Sequence, residues 1–260
     1  MDLQLRDKVV LITGGAKGIG AATAKAIAKE SGIPVLVDKD AQAGNKLRDE
    51  LKSDGKTCGV ICMDLSDEAN CSRAVDEALE RFGRLDALVN NAGVNDKVGL
   101  EHGTPQDYEA SLRRNLLHYF NMAHYSLPSL KKSQGCIVNV ASKVAVTGQG
   151  GTSGYASAKG AILALTREWA AELLPSGIRV NAVVPTEVMT PLYQQWLSTF
   201  SDPEKKLQEI TTKIPLGKRM TKPEEIAATV LFLMSAQASH ITGPHIFVDG
   251  GYVHLDRALT

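Results

Sequence analysis

The chain of 260 residues is 43% hydrophobic and 22% charged, and its 29 lysines and arginines balance its 29 aspartates and glutamates. This zero formal net charge gives no general attraction to nucleic acid or to an anionic membrane surface. No apolar run approaches membrane-spanning length, and the charged N-terminus leads straight into a predicted strand without a visible signal peptide. We therefore expect a cytoplasmic protein in which residues 1–260 form a single domain.

The four cysteines, Cys58, Cys62, Cys71 and Cys136, show no paired spacing. Cys58 and Cys62 fall in a predicted strand, where alternation places both thiols on one face as small buried groups. The six histidines supply no further ligands at metal-binding spacing. The sequence therefore predicts reduced cysteines and no metal site.

Strands and helices alternate along the chain with short connections. The predicted strands cover residues 8–13, 33–37, 57–63, 87–89, 136–141, 179–184 and 245–248. The predicted helices cover residues 21–30, 43–53, 68–82, 108–130, 155–174 and 223–234. This alternation is typical of an α/β fold, a doubly wound parallel sheet with helices on both faces. Residues 186–215 interrupt the rhythm, and we predict that they form helical pieces of a lid over the substrate.

Polar side chains follow the predicted ends of four strands. Asp38, Asp64, Asn90 and Ser142 each occupy such a position. Ligands of doubly wound sheets bind beyond the carboxyl ends of the strands. The sequence therefore predicts one binding site at this edge of the sheet.

A glycine-rich turn separates the first strand from the first helix. Gly14, Gly18 and Gly20 in Gly-x-x-x-Gly-x-Gly permit a tight turn and a close approach of the backbone to phosphate. The helix N-terminus then offers N–H groups and a partial positive charge to a pyrophosphate. A glycine-rich turn without a ligand is the alternative, and Asp38, eighteen residues after Gly20, argues against it. A carboxylate there can accept hydrogen bonds from both ribose hydroxyls of adenosine.

The charges around this turn bear on the choice between NAD and NADP. Asp38 would repel the 2′-phosphate of NADP, whereas Lys17 or Lys39 could pair with it. We expect NAD, with NADP as the alternative.

Tyr155 and Lys159 are four residues apart in a predicted helix, so they share a face. A nearby ammonium lowers the pKa of a phenol, which is about 10 when unperturbed. Ser142, thirteen residues before the tyrosine, can donate a hydrogen bond to a substrate oxygen while the phenolate takes a proton. A helix with an exposed lysine is the alternative interpretation of this pair.

These residues together resemble the short-chain dehydrogenase/reductase family over essentially the whole chain. The motifs that match are Thr13-Gly14-x-x-x-Gly18-x-Gly20, Asn90-Asn91-Ala92-Gly93, Asn115, Ser142, Tyr155-x-x-x-Lys159, Asn181 and Asp249-Gly250-Gly251. The resemblance implies a Rossmann-type sheet, a nicotinamide dinucleotide and a homotetramer. It also implies a catalytic proton relay of Asn115, Ser142, Tyr155 and Lys159.

The resemblance further implies the residues that contact the cofactor. They are Gly14, Lys17, Gly18, Ile19, Gly20, Asp38, Lys39, Asp64, Leu65, Asn90, Asn91, Ala92, Gly93, Tyr155, Lys159, Pro185, Val188 and Thr190. Asp64 is expected near the adenine, Asn90 near the ribose and Thr190 on the nicotinamide amide. One departure is visible, because the Pro-Gly usual after the sixth strand is Pro185-Thr186 here.

Several segments look like bacterial L-fucose dehydrogenases, a branch of that family that oxidises the anomeric hydroxyl of a sugar to its lactone. They are residues 90–95, 118–119, 142–149, 187–193 and 252–259. This resemblance implies a sugar substrate.

The residues that flank the relay are polar, which suits a polyhydroxylated substrate better than an apolar one. The predicted substrate contacts are Asn95, Ser142, Lys143, Gln149, Tyr155 and Glu187. Glu187 could accept two sugar hydroxyls, and Tyr193 or Trp196 could cover the sugar ring, although a packed aromatic is the alternative role. An NADPH-dependent carbonyl reductase of small ketones or acyl substrates is the second hypothesis, and a non-catalytic nucleotide-binding protein the third.

Two predicted helices, 108–130 and 155–174, carry more apolar residues than one core-facing stripe needs. These residues are Leu116, Leu117, Tyr119, Phe120, Leu163, Leu165 and Trp169. A surplus of this kind is typical of a subunit interface, in agreement with the homotetramer that the family resemblance implies.

Overall fold

Seven parallel strands form one sheet in the computed structural model, which describes residues 2–255. The strands are β1 (Val9–Thr13), β2 (Ile33–Asp38), β3 (Gly59–Cys62), β4 (Ala87–Asn90), β5 (Cys136–Val140), β6 (Arg179–Pro185) and β7 (His245–Val248). Their order across the sheet is β3-β2-β1-β4-β5-β6-β7. The predicted doubly wound, Rossmann-type α/β fold is therefore confirmed.

Nine α-helices connect or follow these strands within the described residues. They are α1 (Gly18–Lys29), α2 (Ala41–Ser53), α3 (Glu68–Phe82), α4 (Pro105–Leu112), α5 (His118–Ser133), α6 (Ser153–Glu172), α7 (Pro191–Leu197), α8 (Pro203–Thr211) and α9 (Pro223–Met234). Helices α7 and α8 lie in the segment 186–215, for which helical pieces were predicted. The described part of the chain contains no helix long and apolar enough to cross a membrane.

The helix predicted over residues 108–130 is three elements in the structure. Helix α4 begins earlier, because Thr104 and Asp107 form a capping box around Pro105. A π-helical turn, Arg113–Leu117, then separates α4 from α5. Such turns are rare and occur frequently at functional sites, and this one contains the predicted relay residue Asn115.

Alternation along the buried strands divides the core between the two faces of the sheet. Leu11 packs on the face that carries α3, α5 and α6, together with Tyr119. Ile12 packs on the opposite face, with Ile27 of α1 and Val230 of α9. This arrangement holds α1 and α5 on opposite faces of the sheet. The chain leaves β1 towards β2 on one side and β4 towards β5 on the other, so a crevice opens at the carboxyl ends of β1 and β4.

Two predictions about side-chain placement are wrong in part. Tyr119, expected on a subunit interface, is 0% exposed, whereas Leu117 and Phe120 of the same set are 43% and 52% exposed. Cys62, expected to be buried with Cys58, is exposed because β3 is an edge strand that ends at this residue. Among residues 2–255, no group of three or more acidic, histidine or cysteine side chains is placed to hold a metal ion.

Candidate active site

A cavity of about 560 Å³ opens at the carboxyl edge of the sheet. It is lined by sixteen of the eighteen predicted cofactor residues: Gly14, Lys17, Gly18, Ile19, Asp38, Lys39, Asp64, Leu65, Asn91, Ala92, Gly93, Tyr155, Lys159, Pro185, Val188 and Thr190. Gly20 and Asn90 are not part of the lining. Residues far apart in the sequence thus meet at the edge where the order of strands predicts a ligand.

The glycine turn and helix α1 give this cavity the features that a pyrophosphate needs. Gly14 has φ of +63°, a conformation that L side chains rarely adopt. A Cβ at Gly20 would collide with the carbonyl oxygen of Gly14, so the packing of the turn requires glycine at this position. The N-cap of α1, Lys17, makes no side-chain hydrogen bond to the first turn. The first N–H groups of the helix therefore receive no side-chain cap, as an anion-binding N-terminus requires.

Asp38 is fixed at the end of β2 by two backbone donors. Its Oδ2 accepts a hydrogen bond from Ala16 N and its Oδ1 from Asp40 N, both at 3.0 Å. Each oxygen keeps a lone pair for a further donor. Lys17 Nζ lies 2.5 Å from Asp40 Oδ2, and Asp40 raises the pKa of Lys17. The positive charge of Lys17 is therefore partly balanced by Asp40, while Lys39 is exposed.

The cavity lining also includes two residues, Arg114 and His118, that the sequence did not single out as site residues. Asp64 accepts hydrogen bonds from the backbone and the hydroxyl of Ser66, which lower its pKa. Arg114 lines the cavity and pairs with Asp96. His118 also lines it, and burial lowers the pKa of this imidazole to about 4, so the ring is neutral. Its position three residues after Asn115 in a predicted helix was the available signal, since such residues share a face.

Ser142, Tyr155 and Lys159 meet at the inner end of the cavity. The Ser142 hydroxyl is hydrogen-bonded to the Tyr155 phenol, an interaction that lowers the phenol pKa. Burial outweighs it and raises the pKa of Tyr155 to about 12. The expected decrease of this pKa is thus not found: the removal of water from the phenol is the larger effect.

Lys159 is buried beneath the phenol. Its Nζ lies 5.6 Å from the centroid of the Tyr155 ring, and burial lowers the pKa of this amine to about 7. Nζ donates hydrogen bonds to Tyr119 Oη at 2.9 Å and to the Val140 carbonyl at 2.8 Å. The protonation of Lys159 is therefore in balance near neutral pH.

Asn115 and Asn90 support the cavity from behind without lining it. Asn115 Oδ1 accepts a hydrogen bond from Val94 N at 2.7 Å, which holds the segment after β4 against the π-helical turn. Asn90 is 0% exposed and donates to Asn139 Oδ1 and to the Tyr119 carbonyl. Asn90, which was expected near the ribose, is thus buried inside the sheet and does not line the cavity.

The predicted substrate residues differ in how the structure places them. Asn95, Ser142 and Tyr155 line the cavity, whereas Lys143, Glu187 and the exposed Gln149 do not. Trp196 packs against Tyr193 and Phe200, with ring centroids 5.1 and 4.9 Å away. Trp196 is therefore the packed aromatic that the sequence analysis left open, whereas Tyr193 lines the cavity.

Lys143 and Glu187 form a close ion pair next to the relay, with side chains only 10% and 15% exposed. The other carboxylate oxygen, Oε2, accepts a hydrogen bond from the Tyr193 hydroxyl at 2.7 Å. Lys143 Nζ also lies 4.4 Å from the centroid of the Tyr252 ring. The expectation that Glu187 offers two free oxygens to a sugar is corrected, because a carboxylate this buried needs partners and has them.

An uncapped helix at a glycine turn, a fixed carboxylate after β2 and a serine–tyrosine–lysine group in one cavity define an oxidoreductase that uses a nicotinamide dinucleotide. Comparison with known proteins agrees. A family model described as "Enoyl-(Acyl carrier protein) reductase" matches residues 14–253. The chain belongs to the short-chain dehydrogenase/reductase family.

Three relatives illustrate the range of this similarity. An L-fucose dehydrogenase of Mus musculus is 38% identical over 94% of this chain and 88% of its own length. The crystal structure of Cj0485 dehydrogenase is 46% identical with a TM-score of 0.95, covering 100% of this chain and 99% of that one. A 3-ketoacyl-(acyl-carrier-protein) reductase from Brucella melitensis, solved with NADH, is 34% identical with a TM-score of 0.86, covering 96% of this chain and 100% of that one.

These relatives support membership of the family, but their different substrates do not identify the substrate of this protein. The L-fucose dehydrogenases that match are mammalian, so the expected link to a bacterial group is not supported. An acyl reductase is nearly as similar. Part of the tail that suggested the link, residues 256–259, lies outside the described residues.

Proposed function

We propose that this protein is an NAD-dependent sugar dehydrogenase that oxidises the C1 hydroxyl of an aldose, with L-fucose or a sugar of the same ring stereochemistry as substrate. The observation that carries the sugar assignment is the pair of polar side chains, Asn95 and Tyr193, that line the cavity together with Ser142 and Tyr155. The buried ion pair of Lys143 and Glu187 holds the Tyr193 hydroxyl in place. Buried polar groups that hydrogen-bond substrate hydroxyls discriminate strongly against substrates that lack them.

The relay residues divide the reaction between them. Ser142 donates a hydrogen bond to the substrate oxygen at C1, and the Tyr155 phenolate accepts the proton of that hydroxyl. A nicotinamide dinucleotide held by the glycine turn and Asp38 would supply the two-electron acceptor for the hydrogen that leaves C1 with its electron pair. A C1 carbonyl, and hence a lactone, results. Lys159 supports the phenolate with its positive charge and contacts the cofactor ribose.

The cofactor preference follows from the charges around the glycine turn. Asp38 presents a fixed carboxylate to the adenosine ribose, and Lys17, which could attract a 2′-phosphate, is paired with Asp40. We therefore propose NAD over NADP. The relative from Brucella melitensis, solved with NADH, is consistent with this preference.

At the substrate end, we propose that Tyr193 and Asn95 contact the sugar directly, since both line the cavity. Lys143 and Glu187 fix the Tyr193 hydroxyl and connect helix α7 to the segment that carries Ser142. Residues 186–215 then serve as the lid. A contact between Gln149 and the sugar requires the exposed loop that carries Gln149 to turn towards the cavity.

The second candidate is a carbonyl reductase of acyl substrates or small ketones. Similarity to the acyl reductase and two apolar residues of the cavity wall, Val94 and Leu192, favour it. The reaction uses the same relay in the opposite direction, so the relay does not distinguish the two.

A substrate screen distinguishes them. The protein is incubated with L-fucose, its enantiomer D-fucose and other aldoses, each with NAD⁺ or NADP⁺, and the absorbance of the reduced cofactor is followed. In parallel, apolar ketones and 3-ketoacyl thioesters are tested with NADH and NADPH. The Tyr155→Phe variant is the control for contaminating enzymes. Rapid reduction of ketones with no oxidation of any aldose would refute the sugar proposal.

We also propose a homotetramer formed through α5 and α6. The exposed Leu117, at the end of the π-helical turn, and the exposed Phe120 of α5 support an interface at this end of α5. The buried Leu163 and Trp169 do not contribute to it, so the apolar surface is smaller than the sequence predicted.

A further inference from the structure

Tyr119 brings a second phenol to the catalytic lysine from the core of the protein. Its side chain is 0% exposed and belongs to the apolar cluster between α5 and the sheet. Its hydroxyl donates to the Val140 carbonyl at 2.9 Å and accepts from Lys159 Nζ at 2.9 Å. Lys159 Nζ donates to the same carbonyl at 2.8 Å. Three polar atoms thus form a closed triangle under the cavity floor.

We propose that Tyr119 is a positioning residue of this enzyme: its hydroxyl oxygen and the Val140 carbonyl hold the Lys159 amine in place and stabilise its charged form beneath Tyr155. This inference rests on the proposed role of Tyr155 and Lys159 in hydride-transfer catalysis. It does not depend on whether the substrate is a sugar or a ketone.

The directions of the hydrogen bonds support this role. An ammonium has donors only, so it must find acceptor oxygens when it is buried. The Tyr119 proton is directed to Val140, which leaves the oxygen lone pairs for Lys159. Burial raises the pKa of Tyr119 well above its ordinary value, so this phenol stays neutral and acts as an acceptor rather than a proton carrier.

The other groups near Lys159 do not replace this acceptor. Tyr155 faces it from its own helix, and His118 from α5 is a neutral imidazole. Asp96, from the segment after β4, acts on Tyr155 and is bound by Arg114. Within residues 2–255, no carboxylate lies within ion-pair distance of Lys159 Nζ. The Tyr119 hydroxyl and the Val140 carbonyl are therefore the main hydrogen-bond acceptors for the Lys159 ammonium.

The consequence for catalysis follows from the coupling of two titrations. When one proton has left the Tyr155–Lys159 pair, it has come either from the phenol, which gives the active form, or from the amine, which gives an inactive form. The low pKa of Lys159 and the high pKa of Tyr155 favour the inactive form. An acceptor that stabilises the ammonium shifts the balance toward the active one.

The test is Tyr119→Phe, which keeps the ring and removes the acceptor. Loss of a hydrogen bond to a charged group lowers the pKa of Lys159 by about one unit or more. We expect the plateau of kcat to fall about tenfold and the midpoint of the acid limb of the pH profile to fall by about one unit. Rates well below that midpoint stay unchanged, because the Tyr155 proton is lost there while Lys159 is still charged.

A second measurement does not need turnover. The Lys159 titration is followed in the protein with ¹³Cε-labelled lysine by NMR, and its signal is assigned by its loss in Lys159→Met. Its midpoint should fall by about one pH unit in Tyr119→Phe and stay at the wild-type value in Tyr125→Phe, which removes a phenol hydroxyl elsewhere on α5. If Tyr119→Phe does not fold, Tyr119→3-fluorotyrosine weakens the acceptor at nearly constant volume and should shift the midpoint in the same direction.

An unchanged Lys159 midpoint in the folded variant, with a kcat lowered equally at all pH values or not at all, would overturn the proposal. The kinetic arm uses whichever substrate the screen identifies. Failure of the sugar assignment therefore leaves the lysine titration as an independent result.

Discussion

The ion pair of Lys143 and Glu187 is the interaction near the active site whose loss should be easiest to measure. Both side chains are nearly buried, and removal of one partner of such a pair leaves an uncompensated charge in the protein. We compare Lys143→Met, Glu187→Gln and the double variant Lys143→Met/Glu187→Gln. Each leaves the cofactor side of the cavity intact.

The structure predicts an order for these variants. Lys143→Met leaves the Glu187 carboxylate with the Tyr193 hydroxyl as its remaining partner, and the free energy of unfolding should fall by about 3–5 kcal/mol. Glu187→Gln should cost less, about 1–3 kcal/mol, because the ammonium keeps an amide oxygen and the Tyr252 ring at 4.4 Å. The double variant contains no unpaired charge and should be more stable than Lys143→Met alone.

Urea unfolding at pH 7, followed by circular dichroism, measures all three free energies. The same variants are assayed with the identified substrate, and KM should rise because Tyr193 loses its fixed position, whereas the dissociation constant of NADH should change little. A Lys143→Met protein as stable as the unmodified one would show that the pair is solvated and that this reasoning is wrong.

Four further predictions concern the relay, the cofactor and assembly. Tyr155→Phe should lower kcat at least about 10²-fold while NADH still binds, and near-normal turnover would remove Tyr155 from the role of base. Asp38→Asn should weaken the preference for NAD over NADP in kcat/KM. Asp40→Asn frees Lys17 from its ion pair and should raise activity with NADP. An unmodified enzyme that prefers NADP would contradict both expectations. Burial lowers the pKa of Lys159 to about 7, below its value in the unfolded chain, so Lys159→Met should be the more stable protein at pH 6–7. Because the unfolded chain binds more protons between these two pKa values, the unmodified protein gains stability as pH rises through this window and the difference should shrink towards about pH 10; a difference independent of pH would exclude this cause. Light scattering at micromolar concentration should give the mass of four chains, and a monomer mass would exclude the proposed assembly.

The fold and most of the residues that line the cofactor cavity could be predicted from the sequence, because both depend on local patterns. Helices α3 and α9 and strand β7 have the predicted bounds, since each combines a clear periodicity with a capping residue, a proline or a short apolar run. The polar residues after the strands reached one edge because parallel strands end on the same side of the sheet.

The contacts between distant side chains were not predictable in this way. Lys143 and Glu187 are 44 positions apart, and Tyr119 and Lys159 are 40 apart. Periodicity indicates which face of an element is apolar, but it does not indicate which polar groups meet inside. Tyr119 therefore looked like part of an apolar surface, and Glu187 like a free carboxylate.

The pKa of Tyr155 was predicted in the wrong direction for the same reason: the sequence does not show how completely a side chain is enclosed. Spacing placed an ammonium beside a phenol and predicted a lower phenol pKa, whereas enclosure of both groups raises the pKa of Tyr155 and lowers that of Lys159. Water is removed from both groups at once, and desolvation favours the neutral form of each. A site enclosed enough to exclude water during hydride transfer thus opposes the charged pair that the transfer needs. The fold can restore that pair through two sets of hydrogen bonds. Ser142 donates to the phenolate oxygen, and the oxygens of Tyr119 and Val140 accept hydrogen bonds from the Lys159 amine.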